Sequence, residues 1–272
     1  MDARLKGIMA TLCFLTSAGL LSSCGSSNIT QSLTADQRFD LGRTKYYDGD
    51  YLEAISDFEI VKLQFAGSSI ADSSQYLLSG CRFKRDEFLL AAEEYQALRR
   101  NFPTSPLAQN AQFNIAMCYY DLSPRSALDQ RYTIRAIDEF QSFIEYYPKN
   151  DLVHDAEIKI QELDTRLAKK EYESGQLYLK LEYYKAATFY FNSVVEKYHD
   201  SPYAEPALLG KIKSLVLRKK YEDAILDVEK FLEKYPQSQY KAEVEGLKQE
   251  IEGRVKSKSA AFSPQMQNNE TR

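Results

Sequence analysis

The sequence predicts an all-α chain in which five pairs of antiparallel helices stack into a solenoid closed by one more helix. Three observations predict it. A unit recurs between about residues 36 and 237: an aromatic residue, two positions, an alanine, three positions, then an aromatic or apolar residue. Aromatic-proline pairs close several copies, at Phe102-Pro103, Tyr147-Pro148 and Tyr235-Pro236; proline cannot continue a helix and ends it at the residue before. The composition is that of a soluble helical body, 44% apolar and 27% charged, with 11 glycines in 272 residues and no glycine-rich phosphate loop.

The first 35 residues precede the repeats. Arg4 and Lys6 make a positive head, and the apolar run from Ile8 to Leu21 is too short to span a bilayer. It ends in Leu21-Ser22-Ser23-Cys24, which resembles the bacterial lipobox. That resemblance implies a signal peptide over 1–23 and a mature chain beginning at Cys24. Cys24 would carry diacylglycerol and an N-acyl chain (palmitate among the possible acids), more than one acyl chain and hence a stable anchor. Gly25 in place of aspartate fits sorting to the outer membrane. Residues 24–35 then form the lipidated N-terminus and a flexible tether, small and polar.

The repeats are expected at about 36–67, 72–104, 108–149, 151–200 and 204–237. The recurring residues are Tyr51, Ala54 and Phe58; Phe88, Ala91 and Tyr95; Ala136 and Phe140; Tyr184, Ala187 and Phe191; and Tyr221, Ala224 and Val228. The aromatic residues at this helical spacing are read as repeat core. Serine or aspartate after each aromatic-proline turn is placed to cap the next helix. His199 replaces the proline once, and a softer boundary is expected there. The third copy carries extra residues over 122–132, where Ser126 and Asp129 suggest a helix start. The fourth copy opens with a long helix over about 151–181. A closing helix over 238–256 has Ala242, Val244, Leu247, Ile251 and Val255 at helical intervals. Residues 257–272 are polar and expected to be disordered.

In the first copy Leu41, Gly42, Gly49, Tyr51, Ala54 and Phe58 resemble the tetratricopeptide repeat. The resemblance implies a right-handed tetratricopeptide-repeat solenoid whose first helices line the concave face. Gly42 and Ala54, Ser79 and Ala91, Ala116 and Ala136, and Gly175 and Ala187 fill the slots where paired backbones approach closely. Ile212 fills the first slot of the last pair, where looser packing is expected. Gly49 is expected in the left-handed conformation of the inter-helix turn.

Four features resemble the BamD (ComL) family of outer-membrane assembly lipoproteins, over about residues 36–250. They are Tyr51-Leu52-Glu53-Ala54-Ile55 with Phe58-Glu59; Asp129-Gln130 with Thr133 and Ala136-Ile137; Asp155-Ala156 followed by Leu167-Ala168-Lys169 and Glu171-Tyr172 and leading to Tyr178; and Tyr235-Pro236-Gln237-Ser238. The resemblance implies a lipid-anchored scaffold on the periplasmic face of the outer membrane, within the BAM complex that inserts β-barrel proteins. Its C-terminal repeats would dock the periplasmic domains of the integral assembly protein, and its N-terminal repeats would receive unfolded barrel proteins. Other assembly lipoproteins are further partners. Tyr190 stands where family members often have an arginine that contacts the integral protein. The alternative is another repeat lipoprotein serving secretion, pilus or cell-division complexes.

By repeat position, Phe39, Arg43, Tyr46 and Tyr47 face the concave side, as do Tyr76, Gly80, Phe83 and Lys84, and Phe113, Met117 and Tyr120. They make either an aromatic trough for an extended peptide, with Arg43 or Lys84 on a terminal carboxylate, or a set of rings packed on one another. Neither catalysis nor a cofactor or metal is expected. The two histidines, His154 and His199, and scattered acids make no converging site, and a net charge of −4 argues against nucleic acid. Cys81 and Cys118 occupy the same place in neighbouring repeats, too far apart for a disulfide, and are expected as buried free thiols.

Overall fold

The computed structural model describes residues 33–267; the expected signal peptide, Cys24 and most of the tether lie outside them. The described chain is all-helical. Five pairs follow one another: α1 (Ala35–Asp48) with α2 (Tyr51–Gln64), α3 (Ala71–Lys84) with α4 (Phe88–Asn101), α5 (Leu107–Leu122) with α6 (Arg131–Tyr146), α7 (Val153–Lys180) with α8 (Tyr184–Lys197), and α9 (Ala204–Leu217) with α10 (Tyr221–Lys234). Helix α11 (Lys241–Gln267) covers the end.

Each helix packs on the next, and each first helix also touches the first helix of the following pair. The second helices meet one another only through long side chains among the described residues, such as Lys62 on Glu94 and Arg99 over the Tyr146 ring. First helices therefore crowd on the inner side of the curve and second helices splay on the outer side. The core is a chain of clusters between pairs. Phe58 and Leu78 anchor the first, Tyr95 and Ile115 the second, Phe140, Phe143 and Leu163 the third, and Phe191, Ile212, Phe231 and Ile251 the last.

Local signals explain the boundaries. Thr34 and Gln37 form a reciprocal capping box on α1 (Gln37 N–H to Thr34 Oγ1 3.3 Å, Thr34 N–H to Gln37 Oε1 3.0 Å). Gly49 takes φ +88° in the first inter-helix turn. Asp86, Glu182 and Lys219 hold the equivalent left-handed position in the later turns, at φ +59°, +63° and +59°. In each of these turns the next residue's N–H closes on a carbonyl of the first helix: Asp50 on Lys45, Glu87 on Arg82, Tyr183 on Tyr178 and Lys220 on Leu215. After the second helices the chain turns at Phe65, Phe102, Tyr147, Tyr198 and Tyr235. Ser105 Oγ and Ser238 Oγ then accept the N–H groups of Leu107 and Tyr240.

Four expectations need correction. The turn at His199 is no softer than the proline turns: Ser201 N–H meets the Tyr198 carbonyl at 3.0 Å, as Ser105 meets Phe102 at 3.1 Å. The last pair is not loose: Ile212 and Val228 are both fully buried in one cluster, because a smaller valine replaces the phenylalanine that faces glycine in the first and fourth pairs. Ser126 starts no helix; α6 starts at Arg131, whose N–H donates to Asp129 Oδ1 at 3.0 Å. Finally, α11 continues to Gln267, where disorder was expected from 257; the added stretch contains no glycine, and Pro264 falls only in its last turn. Residues 268–272 lie outside the described chain.

Candidate interaction surfaces

The residues expected to form a trough lie on the first helices and at their C-terminal ends, and most of their rings are already engaged. Phe39 packs on Phe58 at 5.9 Å, Tyr76 on Tyr95 at 5.5 Å, Phe83 on Phe88 at 5.3 Å, and Phe113 on Phe140 and Phe143 at 5.6 and 5.4 Å. Tyr46 sits edge-on to Tyr47 and Tyr51 and leans on Gly80 of the next pair, where a Cβ would lie 3.2 Å from its hydroxyl. Burial raises the phenol pKa of Tyr46 and of Tyr76, whose oxygen accepts from Asn114 Nδ2 at 3.0 Å. Of the seven rings, Tyr47 is the most open, 76% exposed. Arg43 is held by Asp40 at 2.9 Å and lies over the Phe39 ring, whereas Lys84 is exposed without an ion pair among the described residues. Tyr120 donates to Glu162, and Lys159 lies 4.4 Å above its ring. This hydroxyl and the nearby Lys159 hold the Glu162 carboxyl below its ordinary range. The first-helix face is thus a lightly ridged, self-packed aromatic surface with open spots at Tyr47 and Lys84.

A periodic feature was not read from the sequence. Three residues beyond the second-helix alanine stands an acid in four of the five pairs: Asp57, Glu94, Glu139 and Asp227. Each is tied to a neighbouring polar side chain. Asp57 takes Arg38 and Lys45 at 2.8 and 2.7 Å, Glu94 takes Lys62 and Gln75 at 2.6 Å each, Glu139 takes Gln112 at 2.9 Å and Arg135 at 2.7 Å, and Asp227 takes Lys211 at 2.9 Å. A search for an acid three residues after the alanine would have found it. The fourth pair breaks the series with Tyr190, which stacks on Tyr178 at 5.2 Å and 6°.

Around the turn between α7 and α8, beside Tyr190, lies an open hollow of about 840 Å³. Tyr178, Tyr183, Tyr184, Phe189 and Tyr190 line it, with Lys185 and Arg218 among its cationic groups. Phe189 and Tyr183 are 69% and 64% exposed. Arg218 donates to Thr188 Oγ1 at 3.2 Å and has no carboxylate partner among the described residues. An exposed aromatic patch with cations beside it is the usual composition of a protein-docking centre.

Cys81 and Cys118 are free and buried, and burial raises both thiols to about 12; they serve as core. No helix among the described residues is long and apolar enough to cross a membrane.

Known proteins resemble this chain at three levels. The family described as "YfiO: Outer membrane lipoprotein" matches residues 31–216. Two curated relatives carry the name outer membrane protein assembly factor BamD. The one from Caulobacter vibrioides is 28% identical over 99 residues, 36% of this chain and 32% of its own length; that from Rickettsia prowazekii is 28% identical over 109 residues, 40% of this chain and 43% of its own. The chain thus spans less than half the length of these relatives. Among solved structures, the yeast Sti1 TPR2AB domain in its pHSP90 complex gives a TM-score of 0.42 at 14% identity, covering 84% of this chain and 87% of that one. The apo form of RapI gives 0.39 at 14% identity, covering 92% and 93%. Both scores lie below one half, and neither likeness speaks to function. With the matched segment running through the first four helix pairs and most of α9, the chain belongs to the YfiO outer-membrane lipoprotein family.

Proposed function

We propose that the protein is a lipid-anchored scaffold on the periplasmic face of the outer membrane, tethered through acylated Cys24, that serves assembly of β-barrel proteins. It is a binding scaffold and not an enzyme. Its C-terminal half docks the periplasmic domains of the integral assembly protein, and its first-helix face receives unfolded barrel proteins. Family membership and the two relatives named as assembly factors support the setting. The observation that carries the docking half is the aromatic hollow at Tyr178, Phe189 and Tyr190.

The test is co-purification of the tagged lipoprotein from solubilised membranes. The native chain is expected to bring down an integral barrel protein with soluble periplasmic repeats. Phe189→Asp with Tyr183→Ser should reduce that recovery at least about tenfold, the usual range for loss of central aromatic anchors, with helical content unchanged. Recovery of a secretin or a division protein instead would move the protein to the rival class of repeat lipoproteins.

A further inference from the structure

The stack of helix pairs has two edges. One carries the turns inside the pairs, from Gly49 onward, and the other carries the ends of the second helices and the turns between pairs. The chain enters α1 at Thr34 on this second edge, at the first pair. Ten residues separate Cys24 from Thr34, a length that reaches at most about 35 Å. An anchor at Cys24 therefore holds the inter-pair edge of the first pairs within that reach of the membrane. The opposite edge stands a further helix length away, about 21 Å for the 14 residues of α1.

The composition of that edge changes along the stack. Nine residues beyond the second-helix alanine stands an exposed side chain in every pair: Leu63, Arg100, Glu145, Glu196 and Glu233. The two pairs nearest Thr34 thus present an apolar and a cationic group, and the three distant pairs present acids. Leu63 is 79% exposed and Tyr146, at the end of α6, is 67% exposed. Arg99 lies over the Tyr146 ring at 6.0 Å, and neither it nor Arg100 has a carboxylate within ion-pair distance among the described residues. The turns over 65–70 and 102–107 hold no charged residue, whereas those over 147–152 and 198–203 hold Lys149 and Asp151, and His199 and Asp200. Of the acids that start α1 and α3, Asp72 accepts from Ser105 Oγ at 2.7 Å and Asp36 faces solvent. An open leucine and tyrosine beside two arginines without acidic partners suit the boundary between lipid headgroups and water.

We propose that the inter-pair edge of the first two pairs rests on an anionic phospholipid surface, with Leu63 among the headgroups, Arg99 and Arg100 on lipid phosphates and Tyr146 at the rim. The reach of the chain from Cys24 argues for lipid as the occupant, because the anchor brings this edge to the membrane. Charge argues for the tilt. Glu145, Glu196 and Glu233 are repelled by the surface that attracts the two arginines, so the last pairs stand away from the membrane. The proposal rests on the anchoring half of the proposed function.

The test uses the acylated full-length protein in vesicles of phosphatidylethanolamine and phosphatidylglycerol that carry a spin-labelled lipid, whose headgroup-level label quenches fluorescence on contact. A dye is attached at Gln64→Cys, beside Leu63, or at the equivalent place in the fourth pair, Lys197→Cys; Cys81 and Cys118 are buried and do not compete for it. The Gln64 dye should be quenched at least about threefold more than the Lys197 dye, since two arginines hold only the first edge at the surface. Each arginine near an anionic surface strengthens the contact about fivefold. Arg99→Gln with Arg100→Gln, or phosphatidylcholine in place of phosphatidylglycerol, should therefore reduce the quenching at least about twofold while the protein still floats with the vesicles. Equal quenching of the two dyes on floating protein overturns the membrane edge and leaves the anchor standing. Quenching that survives the loss of both arginines and of the anionic lipid also overturns it. Protein that does not float with the vesicles overturns the anchor at Cys24 and the membrane edge with it.

Discussion

Single residues decide how closely the pairs nest. The ring of Phe191 is held between two glycines: a Cβ on Gly175 would lie 2.7 Å from it, and one on Gly210 2.6 Å. Gly210→Ala therefore overpacks the joint between the fourth and fifth pairs. We expect a loss of about 1–3 kcal/mol in chemical denaturation, relieved when Phe191→Leu is added; an unchanged midpoint would show that the ring can move aside. Gly175 was legible as a small slot facing the second helix of its own pair. Gly210 was not, because its partner belongs to the preceding pair and the repeat pattern places Ile212, not Gly210, in the slot. The acid series is similar. Asp57, Glu94, Glu139 and Asp227 look like exposed helix charges in one dimension, and only their own low exposure and their polar partners mark them as structural.

At the scale of elements the turns carry the regularity. The residue before each expected proline has nearly the same φ: −129° at Phe102, −131° at Tyr147, −123° at Tyr235, and −124° at Tyr198, where His199 follows. Phe102, Tyr147 and Tyr235 hold it directly before a proline. His199→Pro is expected to raise stability by about 0.4–1 kcal/mol by restricting the unfolded chain, seen as a higher thermal midpoint; a lower midpoint would mean that the fourth turn differs from its equivalents. His199 gives up little, since its contact to Asp200 is an exposed one at 3.4 Å. The insertion in the third pair was visible as extra length but not as a structure. Gln130 holds it by donating to the Arg125 and Leu128 carbonyls at 2.9 and 3.0 Å and accepting from Thr133 at 2.7 Å. Lys170 and Ser126 then fasten it to α7, at 2.5 Å to the Leu128 carbonyl and 3.2 Å to Glu173. Those long-range bonds reach 42 and 47 residues along the chain, beyond any local pattern.

Across the whole molecule, α7 joins two bodies. The third pair packs on α7 through Phe140, Phe143 and Leu163, and the last two pairs with α11 pack through Phe191 and Ile212. An unbroken helix links the first-helix face to the aromatic hollow. Ala168→Pro removes a hydrogen bond and strains the backbone at the point where the clusters change over, at a cost of about 3 kcal/mol or more. We expect the variant to unfold in two transitions by calorimetry where the native chain shows one. A single transition with an unchanged midpoint would show that α7 does not couple the two bodies.

The sequence by itself determined the all-α class, the pairing of helices, the small slots, most of the turn positions and the free cysteines, because each follows from contacts a few residues apart or from a pattern that repeats. Only the tertiary structure decided which rings on the first helices stay open, which rings gather around the aromatic hollow, and which clusters the long helix joins. Those depend on which neighbouring pair a side chain meets, and curvature and offset along the stack set that meeting across distances the linear repeat does not encode.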